Sequence, residues 1–189
     1  MDFNRNTRLN FALGLIVALG VSAVYPAYAL TKMVGGAPMY PTKNIVENAV
    51  NSKDHTTLVT AVKAAGLVDT LESAGPFTVF APTNEAFKML PAGTVESLVK
   101  PENKATLTKV LTYHVVPGRL TSTDLAAAVD QGGGKAILKT VEGDTLTVAH
   151  DGKKGLSVTD DKGDVAKVTI ADVIQSNGVI HVIDKVLMP

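Results

Sequence analysis

The chain has 189 residues, 46% of them hydrophobic and 19% charged, and a formal charge of zero. That balance lacks the clustered basic surface that nucleic-acid binders need. With no cysteine, a disulfide scaffold, a thiol nucleophile, a thiolate metal site and a lipidated cysteine are all excluded.

Arg5 and Arg8 give the start a positive character, and the run FALGLIVALGVSAV (residues 11–24) is apolar. Pro26 breaks it, and Ala27-Tyr28-Ala29 supplies the small residues of a cleavage site, so residues 1–29 are predicted to be a signal peptide. Fourteen residues rise only about 21 Å as a helix, against a hydrocarbon core of roughly 30 Å. The expected product is therefore exported, periplasmic or extracellular, with no membrane span after signal removal. Residues 30–42 carry Gly35-Gly36, Pro38 and Pro41 and predict an extended lead-in.

From Lys43 the first half reads as helical. NIVENAV is a short amphipathic segment, and HTTLVTAVKAAG sets Leu58, Val62 and Ala65 on one face before stopping at Gly66. LVDTLES makes a second short helix. GPFTVFAP changes to the two-residue alternation of a strand. Thr83 caps NEAFKML, with Glu85 placed where the helix dipole favours a negative charge. TVESLVK follows, and Pro101 suits the start of the next helix, in which Leu107, Val110, Leu111 and His114 share a face. After Pro117-Gly118-Arg119 turns the chain, Ser122 or Thr123 is predicted to cap a small helix ending near Val129.

Beyond Gly132 come five short alternating or apolar runs: KAILKT, DTLTVAH, GLSVT, VAKVTIADVI and GVIHVIDKVLM. They are separated by Gly143-Asp144, Asp151-Gly152, Lys162-Gly163 and Asn177-Gly178, residues that tolerate the backbone of tight turns. Helices followed by a mostly antiparallel sheet make an α+β domain. In the last run, Val179, His181, Ile183, Lys185 and Leu187 alternate with Ile180, Val182, Asp184, Val186 and Met188. Both faces are mostly apolar, which predicts a strand covered on both sides.

Motifs for chemistry fail on inspection. DQGGGKA (residues 130–136) has Val129 where a phosphate loop needs glycine and Ala136 where it needs Ser or Thr, so it reads as a connection. DDKGD (residues 160–164) lacks the twelve-residue calcium loop and reads as a hairpin tip. Its Lys-Gly-Asp triplet is too short to carry an integrin assignment. His55, His114, His150 and His181 have no metal-ligand spacing, and no nucleophile elbow or carboxylate pair is present. His114 and His181 lie on apolar faces, where a buried imidazole bonded to backbone is the expected state.

Three segments, FTVFAPTNEAF (residues 77–87), LTYHVVPG (residues 111–118) and NGVIHVIDKVLMP (residues 177–189), together resemble the fasciclin domain, over Lys43 to Pro189. The likeness is to single-domain exported bacterial members. It implies a wedge of two β-sheets with helices along it, the last segment pairing beside the strand at Phe77–Ala81. Tyr113, His114, Asn177, Gly178 and His181 are implied to be its structural motif residues. The resemblance also implies a non-enzymatic binding module without cofactor, mediating adhesion through an unidentified surface protein or glycan. A pair just before the last motif, tied to integrin recognition in animal members, falls on Asp172 and Val173, followed by Ile174. Carotenoid binding by some relatives implies an alternative, a carrier of a carotenoid- or lipid-like apolar molecule.

Overall fold

The structure is a computed structural model that describes residues 31–152 and 155–189. The predicted signal peptide lies outside the described residues. The predicted lead-in is a hairpin: β1 (Lys32–Val34) pairs antiparallel with β2 (Ala37–Met39). Gly35 and Gly36, with φ of 57° and 76°, supply the two positive-φ positions that a two-residue hairpin turn requires. Read only as chain breakers, these glycines hid the pairing. Val34 and Met39 are buried in the domain core.

Seven helices follow among the described residues, interleaved with strands. Asn44 and Glu47 form a reciprocal capping box on α1 (Ile45–Ala49). A 3₁₀ turn over Lys53–His55 runs into α2 (Thr56–Ala65), which ends on left-handed Gly66 as its sequence requires. α3 (Val68–Glu72) leads to β3 (Phe77–Pro82), and Thr83 caps α4 (Asn84–Lys88). α5 (Thr94–Leu98) and a 3₁₀ turn at Pro101–Asn103 precede α6 (Lys104–Tyr113) and β4 (Val115–Pro117). α7 (Ser122–Gln131) is capped by Thr121, not by Ser122 or Thr123, and it runs past Val129. The reason lies at Asp124, three residues on, whose carboxylate accepts the Thr121 backbone N–H and completes a capping box.

The strands β5 (Lys135–Lys139), β6 (Thr145–Asp151), β7 (Gly155–Thr159), β8 (Val165–Gln175) and β9 (Gly178–Ile183) complete a ladder ordered β4-β3-β9-β8-β7-β6-β5. β3 and β9 run parallel, from Phe77 opposite Gly178 to Pro82 opposite Ile183, and the other neighbours are antiparallel. β8 divides the ladder into two half-sheets. Val165–Lys167 pair with β7, and Val168–Gln175 pair with β9 across two register shifts. Within the shifted stretch Asp172 adopts φ of 54°, and β8 changes sides. Ala166 and Val168 face the core under α7, while Ile170 and Val173 face the core under α1–α6. The fold is α+β, and the division at β8 agrees with the expected two sheets.

β9 is buried along its whole length. Ile180 and Val182 enter the helical core and Ile183 the α7 core, so an apolar pattern on both faces was required. The strand stops at Ile183, five residues short of the expected end. There side-chain acceptors replace the ladder. The Asp184 carboxylate accepts the Lys167 N–H, His114 Nε2 accepts the Leu187 N–H, and Asp160 accepts the Met188 N–H. Val186 and Leu187 still reach the two cores.

Candidate functional site

His114, at the end of α6, donates from Nδ1 to the Val110 carbonyl at 2.8 Å and accepts the Leu187 N–H on Nε2 at 3.0 Å. That pattern requires a neutral ring, and burial pushes its pKa down to about 4. Tyr113 beside it is fully buried; its hydroxyl donates to the Thr145 carbonyl and accepts the Asp161 N–H. Burial raises the phenol to about 12. Together the pair ties α6 to β6, to the β7–β8 turn and to the chain's last residues.

His181, on β9, stacks on Phe80 with ring centroids 5.7 Å apart. Its Nε2 donates to the Leu120 carbonyl at 2.8 Å, and its Nδ1 accepts the Asp172 N–H at 3.3 Å. Burial holds this imidazole below its ordinary pKa as well. The recognition role that the resemblance implies for Asp172 calls for an exposed carboxylate. Instead it is half-buried, and its carboxylate accepts both the N–H (2.6 Å) and the hydroxyl of Ser122. It fastens the first turn of α7 to the bend in β8. Val173 is buried in the helical core, and Ile174 is half-buried. Sequence spacing could not reveal this, because the Ser122 contact joins residues fifty positions apart.

Asn177 stands apart from these groups. Its Oδ1 accepts the Ile45 N–H, and its Nδ2 donates to the carbonyls of Leu71 and Ser73, so one amide joins α1, α3 and the start of β9. At Gly178 any Cβ would strike the Phe77 carbonyl, which makes glycine obligatory at the parallel β3–β9 contact. The motif residues therefore form joints and do not converge on a reaction centre. Among the described residues no group of three or more His, Asp or Glu could hold a metal ion, and no helix is long and apolar enough to cross a membrane.

Two further features could bind. The first is an apolar cavity of about 70 Å³ between the β1–β2 hairpin, α1–α3, α6 and the sheet. At its wall sits His55, only 3% exposed, with Nδ1 2.8 Å from the Ser52 hydroxyl. Its Nε2 has no hydrogen-bond partner among the described residues. The Ala81 carbonyl favours the charged imidazole, yet burial outweighs it and lowers the pKa. Sequence reasoning passed over His55, although it precedes Leu58, Val62 and Ala65 at i−3, i−7 and i−10 and so extends their buried face.

The second is the outer face of the β5–β8 half-sheet. The register aligns Ile137, Thr147, Thr159 and Val165 in one row across four strands. Ile137 is 74% and Val165 43% exposed, while the alternate residues Leu146, Val148 and Val158 are fully buried on the α7 side. Lys135, Lys139 and Lys167 flank the row.

The fasciclin domain profile matches residues 53–189. The protein sll1483 of Synechocystis sp. is 53% identical over 147 residues, 77% of this chain and 73% of its own length. The immunogenic protein MPB70 of Mycobacterium bovis is 33% identical over 200 residues, covering 95% of this chain and 94% of its own. Among solved structures, a FAS1 domain pair from the insect cell adhesion molecule fasciclin I superposes with a TM-score of 0.70 at 20% identity. That match covers 79% of this chain and 52% of the pair, so this chain spans about half of it. With the profile matching well over half of the chain and the fold superposing on a FAS1 pair, the chain belongs to the fasciclin domain family.

Proposed function

We propose that the chain is an exported, non-catalytic adhesion module that holds a cell-surface or matrix protein or glycan through the outer face of the β5–β8 half-sheet. The observation that carries this reading is the Ile137–Thr147–Thr159–Val165 row, whose two ends are exposed branched apolar side chains on a rigid sheet. Ile137 and Val165 share one face with the partly exposed Thr147 and Thr159 between them, and an apolar row rimmed by Lys135, Lys139 and Lys167 fits an interaction surface with a polar rim. The adhesive character of fasciclin I supports the same reading. Export is supported by the apolar start followed by Ala27-Tyr28-Ala29. A non-catalytic role is supported by the histidines at the joints, His114 and His181, whose ring nitrogens are all engaged in structural bonds.

In this reading Asp172, Val173 and Ile174 serve recognition indirectly, by setting the bend that orients the half-sheet. Transport of carotenoid- or lipid-sized molecules has weaker support, because the cavity holds about 70 Å³ and sites for drug-sized ligands occupy roughly 300–1,000 Å³. The test is attachment of labelled protein to host cells. Ile137→Asp combined with Val165→Asp should abolish attachment while leaving stability within about 0.5 kcal/mol, as surface changes do. Protease or glycosidase treatment of the cells then tells a protein partner from a glycan. Wild-type attachment by the double variant would end the assignment.

A further inference from the structure

We infer that the outer face of the β5–β8 half-sheet takes a linear, carboxylate-bearing polysaccharide, gripped by Lys135, Lys139 and Lys167 and laid across the hydroxyls between them. The inference rests on the adhesion reading above and narrows its partner to an acidic glycan.

The strand register fixes where each group stands. Beside the row Ile137–Thr147–Thr159–Val165 runs a second row, Lys135–Ala149–Ser157–Lys167, and on the opposite side Lys139 faces Thr145. Lys135 and Lys139 are thus about 13 Å apart along β5, and Lys135 and Lys167 about 14 Å apart across three strand spacings. All three lysines are exposed. Nearby carboxylates are already engaged: Lys109 holds Glu142 and Asp144 at 3.5 and 3.6 Å, and His150 holds Asp130 at 2.9 Å. Among the described residues Lys135 and Lys139 pair with no acid, and the Lys167 ammonium meets Asp151 at 3.1 Å. In a chain of zero formal charge, three ammonium groups here face one carboxylate.

Between the lysines the face offers hydroxyls. Among the described residues Ser157 is the one hydroxyl of these rows that bonds inside the sheet, to the Ala149 carbonyl at 3.4 Å. Thr145, Thr147 and Thr159 keep theirs for solvent or a ligand. Ile137 and Val165, at the two ends of their row, offer apolar contact to the C–H faces of sugar rings.

Size and shape tell against a protein. The lysines bound a flat area on the order of 200 Å², well short of the roughly 800 Å² per partner in a standard protein complex. Protein interfaces carry apolar groups at their centre, whereas the middle of this face carries threonines and a serine. An extended peptide would add a strand at the sheet edge, and β5 has little edge to give. Just past its end the Val141 N–H donates to the Val115 carbonyl at 2.8 Å, and at its start Gly132 packs so closely on the Lys135 carbonyl that any Cβ would strike it. A glycan chain needs neither pocket nor edge. Its carboxylates meet the lysines in charge-assisted hydrogen bonds, and its hydroxyls meet those of the sheet.

The experiment passes the protein over immobilised alginate, a linear polyuronate, and over the same polymer with its carboxyls esterified. The wild-type chain should be retained by the first, released by salt, and should run through the second. Lys135→Gln with Lys139→Gln should weaken binding about fivefold, as the loss of two exposed ion contacts does. Lys53→Gln with Lys100→Gln, an equal charge change at exposed sites on the helical side, should bind as the wild type does. Soluble alginate should also block attachment to host cells. No retention on alginate, equal retention on the esterified polymer, or the same loss in both double variants overturns the inference. Attachment that protease abolishes and alginate leaves untouched also overturns it, by assigning the face to a protein. Failure of the adhesion reading has a different mark, wild-type attachment by Ile137→Asp with Val165→Asp.

Discussion

The two cores on either side of β3 and β9 are built to different standards. Under α7, the core holds Phe80, Tyr113, Leu125, Leu146, Ile183 and Leu187, each with essentially no exposed surface. The polar groups at its edge, His181 and the Tyr113 hydroxyl, have partners on both sides. The core under α1–α6 is assembled from short helices, four of only five residues. It keeps a cavity and an imidazole nitrogen without a hydrogen-bond partner among the described residues. Large, well-filled side chains lock the joint between the half-sheets, whereas many short elements leave gaps that no single side chain can fill. Rigidity is placed where β8 changes sides, and room is placed where helices meet.

The largest effect should come from the element both cores share. Deleting residues 177–189 removes the buried Val179, Ile180, Val182, Ile183, Val186 and Leu187, each worth roughly 1.5–3 kcal/mol. That sum rivals the stability of a whole domain, about 5–15 kcal/mol. The truncated chain should show no cooperative thermal transition; a cooperative one would mean that the two cores stand without β9.

Truncating one leucine in each core sharpens the contrast. Leu125→Ala, in the tight core, should cost about 3–5 kcal/mol by urea denaturation, and Leu58→Ala, beside a cavity already present, about 2–3 kcal/mol. Equal costs would erase the distinction between the two regions.

Acid should probe both cores together, since His114, His181 and His55 all have pKa values lowered by burial. For His114 the folded value is about 4 against an ordinary 6.5. Between those values the unfolded chain binds the proton and the folded chain does not, so stability falls as pH drops through that window. Each such histidine contributes a slope of at most about 1.4 kcal/mol per pH unit. Melting temperatures from pH 7.5 to 4.5 should decline, and less steeply in His114→Gln. A flat profile would contradict the neutral, buried rings.

The smallest effect lies at the bend. Asp172→Ala should cost about 1–2 kcal/mol, because Ser122 loses a charged acceptor while α7 retains its Thr121 cap. A melting temperature identical to wild type would make the Ser122 contact incidental.

Much of this arrangement is legible in the sequence where periodicity reports burial. The two apolar faces of residues 178–183 announce a central strand, and Leu58, Val62 and Ala65 announce the buried face of α2. The joint histidines follow from their apolar neighbours. Hidden features depend on partners remote in sequence. Asp172 is polar and lies in a strand, so nothing local tells that Ser122 takes its carboxylate. Gly35-Gly36 can end an extended segment or turn a hairpin, and only Val34 and Met39 meeting the core decides between them. His55 begins a helix with threonines beside it, a pattern that resembles a solvent-facing start until the cavity behind it is seen.

Asn177 followed by Gly178 is a sequence prone to spontaneous deamidation: the glycine nitrogen attacks the side-chain amide carbon, ammonia leaves as a cyclic imide closes, and water opens the imide to a carboxylate. Here the amide is held by Ile45, Leu71 and Ser73, and Gly178 is clamped against Phe77, so the folded backbone cannot bend into the ring. Loss of these contacts on unfolding removes that protection. A chain that deamidates here exchanges the amide donor for a carboxylate facing two carbonyls, and it loses the means to rebuild the joint between α1, α3 and β9. The same contacts that join the three elements thus also shield the pair chemically while the fold is closed.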